Sequence, residues 1–275
     1  MFSSQTEYEV VTFAIGDTKS GTKMGKLQLR NPEDDSLLNC ILWEEALGRI
    51  DNKIFRSGNL VKIINASYNE KYNNCLVSSL ELVKEAKLGL SEEQVSEDFQ
   101  KILSFVSSIT DAKLKAFVSN LLSKYETDFK TLPAAKLMHH NYKGGLLQHT
   151  TECLEIAENL MKLFKDKINR DELIAACVLH DFGKIFEYVM DEETGLIEYC
   201  EDFKKDWISH SQWGYTQCMV AGFPTIAKMI AAHHSRIDWG AMIDLGEKDL
   251  ESYYYILHHI DDLSAKYGAT TVKDL

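Results

Sequence analysis

The sequence has few of the features that would place the protein in a membrane or outside the cell. It contains no run of eighteen apolar residues, so no membrane-spanning helix is predicted. The first residues lack the basic start and the apolar stretch of a signal peptide. The six cysteines are scattered and form no CxxC pair, as expected of free thiols in a reducing compartment. We therefore expect a cytoplasmic protein with no membrane association.

A strongly basic surface is also missing. The chain has 30 basic and 42 acidic side chains, a net charge of −12, so nonspecific binding to nucleic acid through such a surface is not expected. Residues 1–88 carry 11 of the basic and 12 of the acidic side chains, which leaves 19 and 30 for the remainder. Because metal ions can supply positive charge to an acidic domain, a phosphorylated substrate is not excluded.

The first third of the chain has the composition of β-strands. Short segments rich in β-forming residues alternate with turn residues such as Gly16-Asp17 and Ser57-Gly58. Five strands of this length suit a small closed barrel. The predicted elements are strands at Glu7–Ile15, Lys23–Arg30, Ser36–Trp43, Asn59–Tyr68 and Tyr72–Val83, with a short helix at Glu44–Ile50.

The hydrophobic period becomes helical after Ser91. Ser91 followed by Gln94 is typical of a helix start, and Val95, Phe99 and Ile102 recur at helical spacing. With 275 residues the chain is long enough for two domains. We predict an α+β protein with an all-β domain at 1–88 and an all-α domain at 89–275. Further helices are predicted at Leu146–Phe164, Arg170–His180, His210–Ala221, Thr225–His234 and Leu250–Tyr267.

Several histidines and acids lie on the apolar faces of these helices. His180 shares a face with Leu173 and Cys177, and His233 follows Ile226 and Ile230 in the same way. Asp261 is flanked by Leu250, Leu257 and Ile260. An inward carboxylate without a partner is unfavourable, and a metal ion is the usual partner of an inward group of His and Asp.

The candidate ligands recur over five separate segments, which distinguishes them from isolated core histidines. A lone histidine on an apolar helix face is more often a satisfied core residue than a ligand. Asp181 could bridge two metals, and Lys184, one turn later, could contact a phosphate oxygen. Histidine and carboxylate ligands suit Mn²⁺, Fe or similar ions. The ordered set is His149, His180-Asp181, His210, His233-His234 and Asp261.

The order of these residues resembles the HD-domain superfamily, and specifically its two-metal members. Three segments resemble the YhaM family of 3′-5′ exoribonucleases more closely. They are LPAAKLMHHNYKGGLLQHT at Leu132–Thr150, ACVLHDFGK at Ala176–Lys184 and LHHIDDLSAK at Leu257–Lys266. The resemblance implies an N-terminal OB-fold at 1–88 followed by an HD domain at 89–275.

The resemblance also implies a role for each matching residue. One metal would be held by His149, His180, Asp181 and Asp261. Asp181 would bridge to a second metal, which is held by His210 and by His233, His234 or both. Lys184 would engage the scissile phosphate, so Asp181 and Lys184 are the expected catalytic residues. His140 would line the substrate site, and Gly144-Gly145 would permit the tight turn that opens the helix of His149.

Aromatic residues of the barrel are candidates for stacking on single-stranded nucleic acid. OB-folds bind such strands through aromatic side chains and a basic groove. Tyr68 and Tyr72 bracket a predicted turn, where packing explains a tyrosine less easily, and Lys71 lies between them. Trp43 ends a predicted strand, a position that is more often part of the core.

The leading hypothesis is therefore a two-metal 3′-5′ exonuclease acting on single-stranded RNA, or less readily DNA. Mn²⁺ is the expected metal and Fe the alternative, and a homo-oligomer is compatible with the sequence. A second hypothesis is a phosphohydrolase of nucleotides or cyclic (oligo)nucleotides. A third is an HD-type di-iron oxygenase, and a fourth is a non-catalytic nucleic-acid-binding protein.

Overall fold

A computed structural model describes residues 5–136, 139–164, 167–192, 195–245 and 254–268. The described residues form two compact units. The first comprises the residues up to Leu88 together with the segment Asp191–Leu196, and the second comprises Gly89–Met190 and the residues from Ile197 onward.

The first unit is a closed five-stranded barrel. Its strands follow one another around the barrel in the order β1-β2-β3-β5-β4, and β1 pairs with β4 to close it. The β3–β5 pair is parallel and the other pairs are antiparallel. The expected OB-type barrel is thereby confirmed. The strands are β1 (Glu7–Asp17), β2 (Lys23–Arg30), β3 (Leu37–Trp43), β4 (Leu60–Asn69) and β5 (Asn74–Lys84).

Alternation of side chains along the strands builds the interior of the barrel. In β2, Gly25, Leu27 and Leu29 are buried, whereas Lys26 is exposed and Gln28 partly exposed, because successive residues of a strand point to opposite faces. Helix α1 (Glu44–Leu47) is shorter than predicted and ends before Gly48. The ring of Phe55 stacks on that of Phe13, with 3.9 Å between their centroids.

The second unit is largely helical. The predicted helix start at Ser91 is confirmed, because its side chain accepts a hydrogen bond from the first turn, and Asn169 caps α6 in the same way. No described helix is long and apolar enough to cross a bilayer. The helices are α2 (Glu92–Ser107), α3 (Ala112–Lys124), α4 (Glu126–Thr131), α5 (Gly145–Leu163), α6 (Arg170–Leu179), α7 (Glu201–Asp206), α8 (His210–Ala221), α9 (Pro224–Ala232) and α10 (Tyr254–Tyr267).

Some elements of this unit were not predicted. The helices α3, α4 and α7 were missed, and a two-stranded hairpin of β6 (Tyr188–Met190) and β7 (Ile197–Tyr199) adds strands to a domain expected to be all helical. The elements α4, α7, β6 and β7 are too short to show a period, whereas α3 repeats Leu114, Val118 and Leu122 at helical spacing and was predictable. Leu250, predicted to begin the last helix, lies outside the described residues.

Candidate metal centre

The candidate ligands converge from five helices of the second unit. His149 projects from the middle of α5, and Asp261 from α10. His180 ends α6, and Asp181 follows it at the start of a 3₁₀ turn, Phe182–Phe186. The remaining ligands lie at helix termini: His210 is the first residue of α8, and His233 and His234 follow α9.

The first ligand group consists of His149, His180, Asp181 and Asp261. Nε2 of His149 lies 3.2 Å from Oδ1 of Asp261 and 3.4 Å from Oδ2 of Asp181. Nε2 of His180 lies 3.7 Å from the same Asp181 oxygen and 3.9 Å from the Asp261 oxygen. Two imidazoles and two carboxylates therefore point into one small volume.

The second ligand group consists of Asp181, His210, His233 and His234. Its atoms face the other oxygen of the shared carboxylate: Oδ1 of Asp181 lies 3.5 Å from Nε2 of His210 and 3.7 Å from Nε2 of His233. Nε2 of His234 lies 3.0 Å from Nε2 of His210. Both His233 and His234 thus point into the group, and metal binding by either one or by both stays a prediction.

Three histidines of the centre form a hydrogen bond with a backbone carbonyl through Nδ1, the ring nitrogen that points away from the centre. Nδ1 of His180 lies 2.9 Å from the carbonyl of Cys177, and Nδ1 of His233 lies 2.6 Å from the carbonyl of Ile230. Nδ1 of His234 lies 2.8 Å from the carbonyl of Trp239. A carbonyl only accepts, so each Nδ1 donates its N–H outward, and each Nε2 points into the centre and is the atom available to a metal.

This arrangement fits divalent cations and is poorly satisfied without them. Among the described residues, Oδ1 of Asp181 and Nε2 of His233 are buried side-chain atoms that have no hydrogen-bond partner. Leaving such groups unpaired in the interior is unfavourable by about 1–3 kcal/mol each, and a cation removes that penalty. The residues present therefore fit a metal at each group.

Lys184 forms a buried ion pair with the shared carboxylate. Its Nζ lies 2.6 Å from Oδ2 of Asp181, and both side chains are less than a tenth exposed. Burial opposes ionisation of both groups, but the ammonium of Lys184 and the ring of His180 hold the pKa of Asp181 well below its usual range. Burial by itself lowers the pKa of Lys184, but the neighbouring Asp181 more than offsets this. The pKa of Lys184 is therefore raised above its usual value, and the ammonium stays charged.

Three histidines of the centre, His149, His233 and His234, are kept neutral, the form that binds metals. Burial lowers the pKa of His149 and of His233. Burial and the neighbouring His233 lower the pKa of His234 to about 2. Burial also opposes ionisation of Asp261, but the neighbouring His149 holds the pKa of that carboxyl below the usual range. Neutral imidazoles and ionised carboxylates form a donor set ready for a cation.

Two carboxylates behind the ligands were missed by the sequence analysis. Glu187 is buried, and its Oε1 lies 3.0 Å from Nδ1 of His210. Glu152 accepts from the hydroxyl of Ser264 at 2.7 Å, and that hydroxyl lies 2.9 Å from Nδ1 of His149. Neither glutamate stands beside a ligand in sequence, so only the three-dimensional packing reveals them.

Close backbone approaches at glycines bring the segments together. A Cβ on Gly183 would lie 2.6 Å from Cα of His210, so only glycine lets the start of α8 approach the turn after Asp181. Gly144 has a φ of 82°, and a Cβ on Gly145 would lie 2.0 Å from the carbonyl oxygen of His140. The tight turn expected before His149 is thus built on both glycines.

His140 lies one layer behind the ligands. Its side chain is fully buried, and its Nε2 lies 3.1 Å from Oε2 of Glu152. The neighbouring His139 is only partly buried, and its ring centroid lies 5.3 Å from that of His149. Burial and then His149 lower the pKa of His139 to about 3. Substrate contact by His140 stays a prediction.

The barrel aromatics singled out in the sequence are all exposed. Trp43 is 47% exposed, so its position at the strand end does not make it a core residue. Tyr68 and Tyr72 are 40% and 65% exposed, and both belong to the β4–β5 hairpin. The loop between these strands is one of the binding loops of OB-folds. Contact with nucleic acid by these three residues stays a prediction.

Residues 146–266 match the family model of the HD domain. The matched range includes every ligand of the two groups. The second unit therefore contains an HD domain.

The chain as a whole is similar to curated proteins that bear the name 3′-5′ exoribonuclease YhaM. The protein from Geobacillus sp. (strain WCH70) is 26% identical over 90% of this chain and 74% of its own length. The one from Oceanobacillus iheyensis is 25% identical over 90% of this chain and 75% of its own length. The one from Bacillus velezensis is 23% identical over 91% of this chain and 81% of its own length. The resemblance inferred from the sequence is confirmed, and it supports a hydrolase.

Proposed function

We propose that this chain is a metal-dependent phosphodiesterase that shortens single-stranded nucleic acid from the 3′ end, with RNA preferred over DNA. The observation that carries the proposal is the shared carboxylate of Asp181, whose two oxygens face two separate groups of ligands. The names of the YhaM relatives support the choice of substrate and direction.

The side chains of the centre have distinct tasks in this proposal. Two divalent ions, Mn²⁺ first and Fe as the alternative, would neutralise charge on the phosphoryl group and lower the pKa of a water molecule. Asp181 and the histidines hold them. Lys184 keeps its proton because of Asp181 and contacts a non-bridging phosphate oxygen with its ammonium.

Exposed aromatic residues favour a strand over a compact substrate. Trp43, Tyr68 and Tyr72 on the barrel would stack on bases, an interaction that tolerates any sequence. On the second unit, Trp207 and Trp239 are 66% and 61% exposed. Trp207 precedes His210 by three residues, and the carbonyl of Trp239 bonds His234, so both belong to segments that carry metal ligands.

Small nucleotides or cyclic (oligo)nucleotides are the second candidate substrate. The observation in their favour is charge: beyond residue 88 the chain has 30 acidic and 19 basic side chains. Such an excess of acid weakens the long-range attraction of a long polyanion more than that of a short one. Faster turnover of short substrates than of long ones would favour this candidate.

Digestion of end-labelled strands tests the proposal. Metal-stripped protein is incubated with 5′-labelled single-stranded RNA or DNA, with Mn²⁺ restored or withheld. We expect a Mn²⁺-dependent ladder that shortens from the 3′ end, faster on RNA than on DNA. Asp181→Asn should abolish the ladder, whereas Asp262→Asn, at a surface acid that pairs with Lys266, should leave it unchanged. Unchanged strands together with two bound metals would instead direct the search to small nucleotides and then to oxygen-dependent turnover.

A further inference from the structure

Behind each ligand group lies a glutamate that is not a member of the group. Glu187 is the last residue before β6 and is buried. Glu152 lies on α5, one turn after His149, and is partly buried. Neither is a ligand candidate, and the proposed chemistry uses neither. Their hydrogen bonds nevertheless lead to one ligand in each group.

Glu187 contacts His210 directly. The same oxygen, Oε1, accepts the backbone N–H of His210 and lies 3.0 Å from its Nδ1. A carboxylate accepts only, so Nδ1 of His210 carries the proton and Nε2 presents its lone pair to Asp181 and His234. The carboxylate also lies at the N-terminus of α8, where a negative charge is favoured.

Glu152 reaches His149 through a hydroxyl. Ser264 donates its one hydroxyl proton to Oε2 of Glu152. The Oγ atom of Ser264 therefore has no proton left to donate to His149, and it accepts a hydrogen bond from Nδ1 of that histidine. Nε2 of His149 then presents its lone pair to Asp181 and Asp261. His140 donates from Nε2 to the same glutamate oxygen at 3.1 Å, which holds the carboxylate in place.

We infer that Glu187 and Glu152 are positioning residues that separately tune the two metal ions. Glu187 acts directly on the second group, and Glu152 acts on the first group through Ser264. The inference rests on the proposed two-metal function. Loss of such an outer partner weakens metal binding by about 10–100-fold. Each glutamate should affect one ion and leave the other unchanged.

Metal titration of matched variants tests the inference without relying on activity. The variants Glu187→Gln and Glu152→Gln remove the charge with little change of shape, and Ser264→Ala removes the link to His149. Exposed glutamates that form surface ion pairs are the controls: Glu201→Gln for the first variant and Glu155→Gln for the second. Stripped protein is titrated with Mn²⁺, and the number of bound ions and both Kd values are measured, together with folding by circular dichroism.

The expected pattern separates the two glutamates. Glu187→Gln should raise one Kd about 10–100-fold, Glu152→Gln the other by a similar factor, and the double variant both. Because Glu152 and Ser264 act in series, Glu152→Gln combined with Ser264→Ala should be no worse than either alone. Glu187→Asp, which keeps the charge but shortens the side chain, should also weaken only its own ion, and it serves if Glu187→Gln fails to fold.

Two outcomes would overturn the inference. Folded variants that bind both ions as tightly as the wild type would show that the glutamates do not position the ligands. Equal weakening of both ions by each variant would show a general structural effect. A wild-type protein that binds no ions would refute the proposed function instead, so the two failures are distinguishable.

Discussion

The two ligand groups share one aspartate but differ in chemistry. The first combines two imidazoles with the carboxylates of Asp181 and Asp261, whereas the second combines three imidazoles with a single carboxylate oxygen. They do not differ in depth, since each has three buried members and one partly buried member, Asp261 in the first and His234 in the second. One bridging carboxylate thus joins a harder half-site to a softer one.

The groups also differ in how the chain builds them. His149 and Asp261 of the first group lie within the helices α5 and α10, where helix packing sets their direction. His210, His233 and His234 of the second group lie at helix termini. A ligand at a terminus depends on local hydrogen bonds for its direction, so the second group should respond more to changes in its surroundings.

Removing the carboxylate of Asp181 should have the largest effect on metal binding and activity, because this side chain belongs to both ligand groups. Asp181→Asn is expected to abolish binding of both ions and to lower kcat by more than about 10³-fold, since one electrostatic group already contributes factors of this size. It also leaves the ammonium of Lys184 buried without its partner, which destabilises the fold by about 3–5 kcal/mol.

Metal analysis and urea unfolding measure the two effects of Asp181→Asn. In the double variant Asp181→Asn/Lys184→Met, stability should return while metal binding stays lost. Retention of either ion by the single variant would contradict the bridging role.

Removing a ligand that belongs to only one group should release only one ion. His149→Ala is expected to retain the second ion, and His210→Ala the first, so each variant binds one ion per chain instead of two. Because two-metal phosphoryl transfer needs both ions, activity should be lost in both variants. Elemental analysis counts the ions, and His259→Ala, at an exposed histidine of α10, is the control. Loss of both ions from either variant would mean that the groups are not separable.

The ligand types predict a difference in metal preference. Imidazole suits Zn²⁺ better than Mn²⁺, while carboxylates suit Mn²⁺. When protein loaded with Mn²⁺ is titrated with Zn²⁺, we expect the first equivalent to displace the ion of the three-histidine group. Electron paramagnetic resonance detects the exchange, because replacing one Mn²⁺ ion removes the magnetic coupling between the two. In His210→Ala the first equivalent of Zn²⁺ should displace less Mn²⁺. Preferential exchange at the carboxylate-rich group would contradict the comparison.

The smallest expected effect is a dependence of folding stability on pH, to which histidines of both groups contribute. In metal-free protein, burial lowers the pKa of His149 and of His233 below their ordinary value of 6.5. The unfolded chain therefore binds protons first as pH falls, so the contribution is complete above pH 6.5 and is lost progressively below it. Each pKa unit of lowering contributes about 1.4 kcal/mol.

Urea unfolding of chelator-treated protein at pH 7.5 and 5.5 measures this dependence. Stability should fall on acidification, and the fall should be smaller in His149→Gln, whose side chain does not titrate. Stability that rises on acidification would refute the assignment of neutral histidines.

The sequence indicates the candidate ligands by their order and types, and in the structure these residues lie together. His180 and His233 follow apolar residues at helical spacing, and burial of both is what that pattern requires. The five strands and the cap at Ser91 were also predictable, because alternation and capping are local properties. Trp43 was assigned to the core more readily than to the surface, yet it is half exposed, because its partners across the sheet are not local.

That histidines and aspartates of separate helices face one interior follows from the amino-acid sequence alone. Their division into two groups follows only from the folded structure, because it depends on the direction of each carboxylate oxygen and ring nitrogen. The same holds for the contact of Glu187 with His210, which are 23 residues apart, and for the link of Glu152 to His149 through the hydroxyl of Ser264, which is 115 residues from that histidine. Hydrogen bonds between segments so far apart leave no periodic pattern in the sequence, whereas burial of a helix face does.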